Sequence, residues 1–158
     1  MALIKSISGI RGTIGGKPGE SLSPVDIVKF AAAFGTWVQR RHNKEGLKLI
    51  VGRDARKSGG MVNNLVITTL RSLGIHVTDL GMATTPTVEL AVTGTHADGG
   101  IIITASHNPA EWNALKLLNE EGEFLSSQDG MKVLEIAAAE DFIFVSNDFT
   151  GSLEYDDT

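Results

Sequence analysis

Three consecutive isoleucines at residues 101–103 constrain the fold more than any other feature of the sequence. Successive side chains of a β-strand point to opposite faces of a sheet, so this run is apolar on both faces. Strands of that kind occupy the buried centre of a sheet. Gly99 and Gly100 precede the run, and polar residues follow it at once. We therefore expect a buried central strand that ends near Thr104.

The rest of the chain alternates between helical and extended patterns. Helices are predicted near residues 24–41, 61–73, 86–92 and 127–139, and strands at residues 47–52, 75–80, 101–104 and 114–118. Ser23 and Pro24 suit the start of the first helix, and Gly74 suits the end of the second. Strands that alternate with helices over short connections predict an α/β layer architecture with a mainly parallel sheet. Ligands of such sheets bind beyond the carboxyl ends of the strands.

Composition excludes several classes of protein. Hydrophobic residues make up 42% of the chain and charged residues 21%, which is typical of soluble globular proteins. No apolar stretch approaches the roughly 18 residues of a membrane helix, and no basic stripe indicates a nucleic-acid partner. The absence of cysteine excludes disulfides and thiolate metal sites, and it fits a cytoplasmic protein.

The net charge of −5 is concentrated near the end of the sequence. Residues 140–158 contain six acidic residues and no lysine or arginine, whereas residues 1–139 are close to neutral. We interpret residues 1–139 as one α/β domain and residues 140–158 as an acidic segment that leads toward an absent second domain. An interaction segment is the alternative interpretation of the same acidity.

Two segments carry cations that could face a phosphate. Residues 8–16 contain four glycines around Arg11, so backbone N–H groups there could approach a phosphate closely. Residues 52–58 include Arg53, Arg56 and Lys57, but their glycine spacing is not that of a P-loop. Taken alone, these residues favour a glycine-rich hairpin with a surface arginine and a loop of solvated cations.

The segment Thr-Ala-Ser-His-Asn-Pro at residues 104–109 is the strongest candidate for chemistry. Ser106 lies at the end of the predicted central strand, beside an imidazole and an amide, and Pro109 stiffens the exit. A hydroxyl with a proton partner and polar neighbours is typical of an activated nucleophile. A strand-terminal turn with a surface histidine explains the same residues equally well, so the chemistry alone leaves both possibilities open.

Four segments, in this order, resemble the α-D-phosphohexomutase family of phosphoglucomutases, phosphomannomutases and phosphoglucosamine mutases. They are residues 8–12 (Ser-Gly-Ile-Arg-Gly), 51–59 (Val-Gly-Arg-Asp-Ala-Arg-Lys-Ser-Gly), 104–109, and 112–116 (Trp-Asn-Ala-Leu-Lys). The chain departs from the family pattern at Ile7, where a Gly-Thr pair is common, and at Trp112 and Ala114, which replace Tyr and Gly. The resemblance implies a three-layer α/β/α domain with a mixed, mainly parallel sheet, the first of the family's four domains.

The resemblance also implies roles for particular residues. Ser106 would carry a phosphoryl group and help to hold Mg²⁺. His107 and Lys116 would assist proton transfer and steady the phosphoryl group, as would Arg11, and Arg53 would add to the phosphate-binding charge. The implied reaction moves phosphate between O1 and O6 of a hexose or hexosamine through a 1,6-bisphosphate. The wording of the motifs is more similar to phosphoglucosamine and bacterial phosphomannose enzymes than to vertebrate phosphoglucomutase.

The loops that complete such a site are absent from this sequence. In the family, an Asp-x-Asp-x-Asp metal loop, a sugar-binding loop and a phosphate clamp lie in domains II, III and IV. We therefore expect the isolated chain to bind Mg²⁺ poorly and to have no mutase activity without those domains. Two rival hypotheses are a phosphate-binding module with an unmodified Ser106 and a protein-interaction domain that works through its acidic segment.

Overall fold

A computed structural model describes residues 1–6 and 9–156 of the chain. Ile7 and Ser8 of the glycine-rich segment, and Asp157 and Thr158 of the acidic segment, lie outside the described residues. The strands are β1 (Leu3–Ser6), β2 (Gly9–Thr13), β3 (Lys48–Arg53), β4 (His76–Met82), β5 (Gly99–Ile103), β6 (Trp112–Leu118) and β7 (Leu153–Tyr155). The helices are α1 (Pro24–His42), α2 (Gly59–Ser72), α3 (Thr85–Gly94) and α4 (Ser127–Ala139), with a short 3-10 helix at Asn147–Phe149.

The described strands form one mixed sheet in the order β1-β2-β6-β5-β3-β4-β7. Strands β5, β3, β4 and β7 pair in parallel, whereas β1, β2 and β6 join the sheet through antiparallel pairs. Because β2 is antiparallel to β6, which is itself antiparallel to β5, five of these seven described strands run in one direction. The mixed, mainly parallel sheet predicted from the sequence is confirmed.

Helices cover both faces of the sheet, which confirms the three-layer α/β/α architecture. Ile101 and Ile103 of β5 belong to the large core that also includes side chains of α1, α2 and α4. Ile102 belongs to the smaller core on the opposite face, together with Val88 of α3. The isoleucine run is therefore buried on both faces, as its pattern predicted. Among the described residues, no helix combines the length and apolar character needed to cross a membrane.

Local signals set the helix ends. The Ser23 hydroxyl accepts a hydrogen bond from the Asp26 N–H, and the Asp26 carboxylate accepts one from the Ser23 N–H, which satisfies two otherwise unpaired donors at the start of α1. Pro24 occupies the first position of α1, as predicted. Gly74 has a φ of 88°, the left-handed conformation that ends helices without strain at glycine.

The glycine-rich segment forms a strand over its described residues 9–13, which agrees with the glycine-rich hairpin that these residues favour when taken alone. Gly9–Thr13 is β2, which pairs with β1 on one side and β6 on the other. A Cβ atom at Gly12 would lie 2.5 Å from the Ala2 carbonyl oxygen, so glycine there permits close backbone approach. These glycines serve strand packing, and they hide the alternating pattern by which a strand is usually recognised.

The acidic segment contributes a strand to the same sheet. Leu153–Tyr155 pairs in parallel with β4, with Val77 opposite Leu153. Gly151 packs so closely against the Ile75 backbone that a Cβ atom has no room. The predicted division at residue 139 therefore does not coincide with the edge of the sheet. That the segment leads toward a second domain stays a prediction.

An ion pair fastens the end of α1 to the turn after β6. The Arg41 guanidinium donates to both carboxylate oxygens of Glu120 at 2.9–3.1 Å and lies 5.3 Å from the centre of the Trp37 ring. Burial raises the pKa of Glu120, but the hydrogen bonds from Arg41 and its charge outweigh that effect and hold the pKa below its ordinary value. A carboxylate of lowered pKa stabilises the fold above its unfolded-state pKa and loses this effect as the pH falls through its folded-state pKa.

We expect Glu120→Gln to lower the free energy of unfolding by about 0.5–1 kcal/mol near neutral pH. The difference from the wild type should begin to shrink as the pH falls below the unfolded-state pKa of glutamate, about 4.3, and should vanish as the pH falls through the lower folded-state pKa of Glu120. Urea unfolding of both proteins, from neutral pH down to pH values below the glutamate pKa, measures this difference in the free energy of unfolding. Glu45→Gln is the matched control, because Glu45 is exposed and makes no ion pair among the described residues. A difference in the free energy of unfolding that stays constant with pH would contradict a stabilising ion pair between Glu120 and Arg41.

Candidate active site

The candidate site lies at the carboxyl ends of two neighbouring parallel strands. Asp54 follows β3 and Thr104 follows β5, and the Asp54 N–H donates to the Ile103 carbonyl at 3.0 Å. Ser106 is two residues beyond Thr104 and is exposed. The loop from β5 to β6, residues 104–111, therefore stands where ligands of an α/β sheet are expected.

Ser106 has a backbone conformation that is unfavourable for a residue with a side chain. Its φ is 48°, in the left-handed region, which costs on the order of 1–3 kcal/mol unless the surroundings impose it. The Lys116 ammonium group donates a hydrogen bond to the Ser106 hydroxyl oxygen at 2.9 Å. The structure thus joins a strained, exposed serine directly to a cation.

Arg11 and Lys116 share one face of the sheet. In the antiparallel pair of β2 and β6, Gly9 lies opposite Lys116 and Arg11 lies opposite Ala114. Opposed residues project to the same side, so Arg11 is the diagonal neighbour of Lys116. A Cβ atom at Gly9 would overlap the Leu115 carbonyl oxygen. Glycine at this position therefore lets β2 approach β6 closely, and both cations lie on the same face of this strand pair.

A chain of hydrogen bonds connects Asp54 to the serine backbone. The Thr104 hydroxyl donates to the Asp54 carboxylate at 2.6 Å. The same hydroxyl oxygen accepts a hydrogen bond from the Ser106 N–H at 3.1 Å. Because Thr104 is buried while Ser106 is exposed, the chain anchors the reactive loop to the interior of the domain.

Arg56 holds the same loop through its backbone. Its guanidinium donates to the carbonyl oxygens of Ser106, Asn108, Pro109 and Trp112 at 2.7–3.1 Å. The Arg56 Nε also donates to the Asp54 carboxylate at 3.3 Å. These contacts bind one guanidinium to a single stretch of main chain.

The structure does not bring Arg53 and His107 onto the serine hydroxyl. Arg53 is half-buried and donates weakly to the Asp54 carbonyl at 3.3 Å. It lines a cavity of about 410 Å³ together with Thr104 and the start of α3. His107 is exposed, and its side chain forms no hydrogen bond with the described residues. Ser106 and Lys116 are therefore in direct contact, Arg11 shares the face of the sheet that carries Lys116, and Arg53 lines the neighbouring cavity.

Larger grooves lie away from this site. One of about 530 Å³ runs between α1 and α4, and one of about 590 Å³ lies beside the loop before β3. Neither includes Ser106, which stands on an open surface.

The described residues supply only part of a magnesium site. Ser106 can offer one oxygen, and among the described residues no group of three histidine, aspartate or glutamate side chains is placed to hold a metal ion. The Asp54 carboxylate is already engaged by Thr104 and Arg56. Because Mg²⁺ takes six oxygen ligands, the described residues fit one position of such a site and do not form a complete one.

Sequence reasoning found the serine and the cations but missed the groups that support them. The sequence assigns no role to Asp54 or Thr104, and it places Arg56 only among the cations that could face a phosphate. The Asp-x-Arg spacing directly after a buried strand was the available signal, because a carboxylate there can bind a loop that leaves the next strand. The main-chain partners of Arg56 leave no signal in a sequence.

Comparisons with known proteins identify the family of this chain. Residues 3–144 match the family model described as phosphoglucomutase/phosphomannomutase, alpha/beta/alpha domain I. The chain is 41% identical over 133 residues to a phosphoglucomutase/phosphomannomutase of Thermococcus kodakarensis, covering 83% of this chain and 29% of that protein. It is 35% identical over 139 residues to a phosphoglucosamine mutase of Helicobacter pylori, covering 87% of this chain and 31% of that protein.

A solved structure agrees as well. A phosphoglucomutase/phosphomannomutase family protein of Burkholderia thailandensis superimposes with a TM-score of 0.80 at 26% identity, over 98% of this chain and 33% of that one. The chain thus spans about a third of the length of the relatives it matches. On its sequence match and its fold, it belongs to the phosphoglucomutase/phosphomannomutase family, whose α/β/α domain I it contains.

Proposed function

We propose that this chain is the phosphoserine-bearing, N-terminal domain of a phosphohexomutase. The parent enzyme interconverts hexose or hexosamine 1-phosphates and 6-phosphates through a 1,6-bisphosphate. The observation that carries the proposal is the 2.9 Å hydrogen bond from Lys116 to the hydroxyl of Ser106, a residue held at positive φ. A turn without chemical function gives no reason to hold an exposed hydroxyl in a strained conformation against a cation.

The proposed step moves one phosphoryl group between two oxygens. The bond from phosphorus to the Ser106 Oγ breaks as a bond forms to the free hydroxyl of the sugar phosphate. His107 takes the proton that this hydroxyl releases, and Lys116, which donates to the Ser106 Oγ, gives that oxygen a proton as it departs. Lys116 and Arg11 stabilise the negative charge on the phosphoryl oxygens and on the departing Oγ. In the second half, the other phosphate of the bisphosphate returns to Ser106. His107 is the proposed proton partner, since it adjoins the serine and is exposed.

The proposed reaction also requires a metal ion and further domains that this chain does not contain. Mg²⁺, when bound, would neutralise part of the phosphoserine charge of about −1.5 to −2, with Ser106 as one ligand and carboxylates of domain II as the others. Domains II–IV of the same polypeptide would supply the sugar contacts, and Arg53 would add phosphate-binding charge at their border. The names of the relatives favour a glucosamine, mannose or glucose phosphate as the substrate. Zero cysteine fits a cytoplasmic enzyme.

The test is phosphoryl transfer from a hexose 1,6-bisphosphate, followed by intact mass and peptide mapping. We expect a gain of one phosphoryl group that maps to Ser106 in a polypeptide that carries all four domains, which is the decisive test because the other domains supply the metal and sugar contacts. The short chain should not convert hexose 1-phosphate to 6-phosphate continuously, because it lacks the sugar contacts. A four-domain protein with an unmodified Ser106 would contradict the proposal and favour a phosphate-binding module, and sustained turnover by the short chain would contradict the need for the other domains.

A further inference from the structure

The guanidinium of Arg56 has no hydrogen-bond donor left for a ligand. An arginine side chain offers five N–H donors in a planar fork. Four of the Arg56 contacts go to main-chain carbonyls of residues 106–112, and the fifth goes to Asp54. The side chain is only 13% exposed, so water does not compete strongly for these donors.

We infer that Arg56 is a positioning residue that sets the conformation of the serine loop, residues 104–112, and that it does not bind the transferred phosphoryl group. The inference about the loop stands on the contacts of Arg56 alone. Its consequence for phosphoryl transfer rests on the proposed function. Arg56 thereby differs from Lys116, whose ammonium contacts the reacting oxygen itself.

The loop is fixed from both sides of Ser106. Arg56 draws the Ser106 carbonyl toward α2, at 2.9 Å, while the Thr104 hydroxyl receives the Ser106 N–H at 3.1 Å. Asp54 binds both of these supports, because its carboxylate accepts from Thr104 and from Arg56. With the peptide groups before and after Ser106 both held, the residue is kept at its φ of 48° and its hydroxyl is kept at Lys116.

The geometry requires arginine and not merely a positive charge. Four carbonyl oxygens that converge on one plane match the fork of a guanidinium, whereas a lysine ammonium has three donors around a single point. If Arg56 acted only as a positive charge, Arg56→Lys would retain most of the loop order and most of the transfer rate. If Arg56 acts as a clamp, holding the four carbonyl oxygens through its hydrogen bonds, Arg56→Lys and Arg56→Gln should loosen the serine loop to similar degrees.

Amide hydrogen exchange of the 158-residue chain tests the clamp without requiring any activity. We expect exchange within residues 104–112 to accelerate about tenfold or more in both Arg56→Lys and Arg56→Gln, with α1 and β3 unchanged. Lys57→Gln is the matched control, since Lys57 is an exposed cation in the same loop. Wild-type exchange in Arg56→Lys would overturn the inference.

A measurement on the wild type covers the case in which a variant does not fold. Nitrogen-15 NMR of the Arg56 side chain should show slow rotation and separately resolved Nη–H signals, because each proton has its own acceptor. These signals should not move on addition of inorganic phosphate. Averaged signals, or signals that follow phosphate, would overturn the inference.

Phosphoryl transfer to Ser106, measured in a polypeptide that carries all four domains, tests the effect of Arg56 on function. We expect both Arg56 variants to accept the phosphoryl group from a hexose 1,6-bisphosphate about 10- to 100-fold more slowly, because a serine displaced by about 1 Å loses alignment. If the wild type accepts no phosphoryl group while the exchange results hold, the proposed function fails and the clamp stands. If transfer in Arg56→Lys equals that of the wild type, the clamp has no role in catalysis and this part of the inference is overturned.

Discussion

Replacing Lys116 with methionine should slow phosphoryl transfer to and from Ser106 about 100- to 1000-fold. The Lys116 ammonium donates to the Ser106 hydroxyl oxygen at 2.9 Å, on the atom that gains negative charge when the phosphoryl group departs. Removing one preorganised donor at such an atom typically has an effect of this size. Methionine keeps most of the length of the unbranched side chain and removes the charge and the hydrogen-bond donors. The rate of appearance of phosphorylated Ser106, followed by intact mass, measures the effect.

The control is the same substitution at Lys132. This lysine is exposed on α4, in the groove between α1 and α4 and away from the serine loop. We expect Lys132→Met to accept the phosphoryl group at the wild-type rate and to keep the wild-type melting temperature within about 2 °C, as is usual for an exposed position. A Lys116→Met protein that accepts the phosphoryl group within about threefold of the wild-type rate would remove Lys116 from the proposed mechanism.

The parts of the fold that were predictable have causes that act within a few residues. The last helix was predicted at residues 127–139, and the structure has Ser127–Ala139. Helical spacing of apolar residues and a capping serine act over one or two turns, so a sequence window contains them. The isoleucine run of β5 was recognisable for the same reason, because its burial on both faces is written in three adjacent residues.

The strands that were missed depend on distant partners. Ile10 of β2 pairs with Leu115 of β6, more than a hundred residues away, and Leu153 of β7 pairs with Val77 of β4. Both missed pairings lie toward the edges of the sheet, in segments rich in glycine or acidic residues. Such compositions are typical of loops, and only the exposed edge of an already formed sheet makes strands of them.

The candidate site also combines features set by local sequence with features set by distant partners. The position of Ser106 at the end of a buried strand follows from local pattern. That Lys116 reaches it depends on the antiparallel register of β5 and β6, where Ile103 lies opposite Leu115. The role of Arg56 could not be predicted for a further reason. Its partners are backbone carbonyls, which every residue carries, so the residue types at positions 106–112 do not indicate them.

A single methyl group at residue 9 should damage both the fold and the site. Gly9 lies opposite Lys116, and a Cβ atom there would overlap the Leu115 carbonyl oxygen, so Gly9→Ala must push β2 away from β6. Overpacking of this kind costs about 1–3 kcal/mol, which corresponds to a melting temperature lower by about 3–10 °C in a domain of this size. Because Arg11 is carried by β2, transfer to Ser106 should also slow, by about tenfold if Arg11 moves by about half an ångström.

Gly60→Ala separates this local effect from the general effect of the substitution. Gly60 lies in the first turn of α2, and no neighbouring atom lies within 4 Å of a Cβ built there. Alanine favours a helix over glycine by up to about 1 kcal/mol, so this control should melt at or above the wild-type temperature. If Gly9→Ala lowers the melting temperature but leaves the transfer rate unchanged, Arg11 has no part in the transfer. If Gly9→Ala changes neither the melting temperature nor the transfer rate, β2 does not approach β6 as closely as Gly9 implies. The proposed action of Arg11 together with Lys116 on Ser106 would then be contradicted.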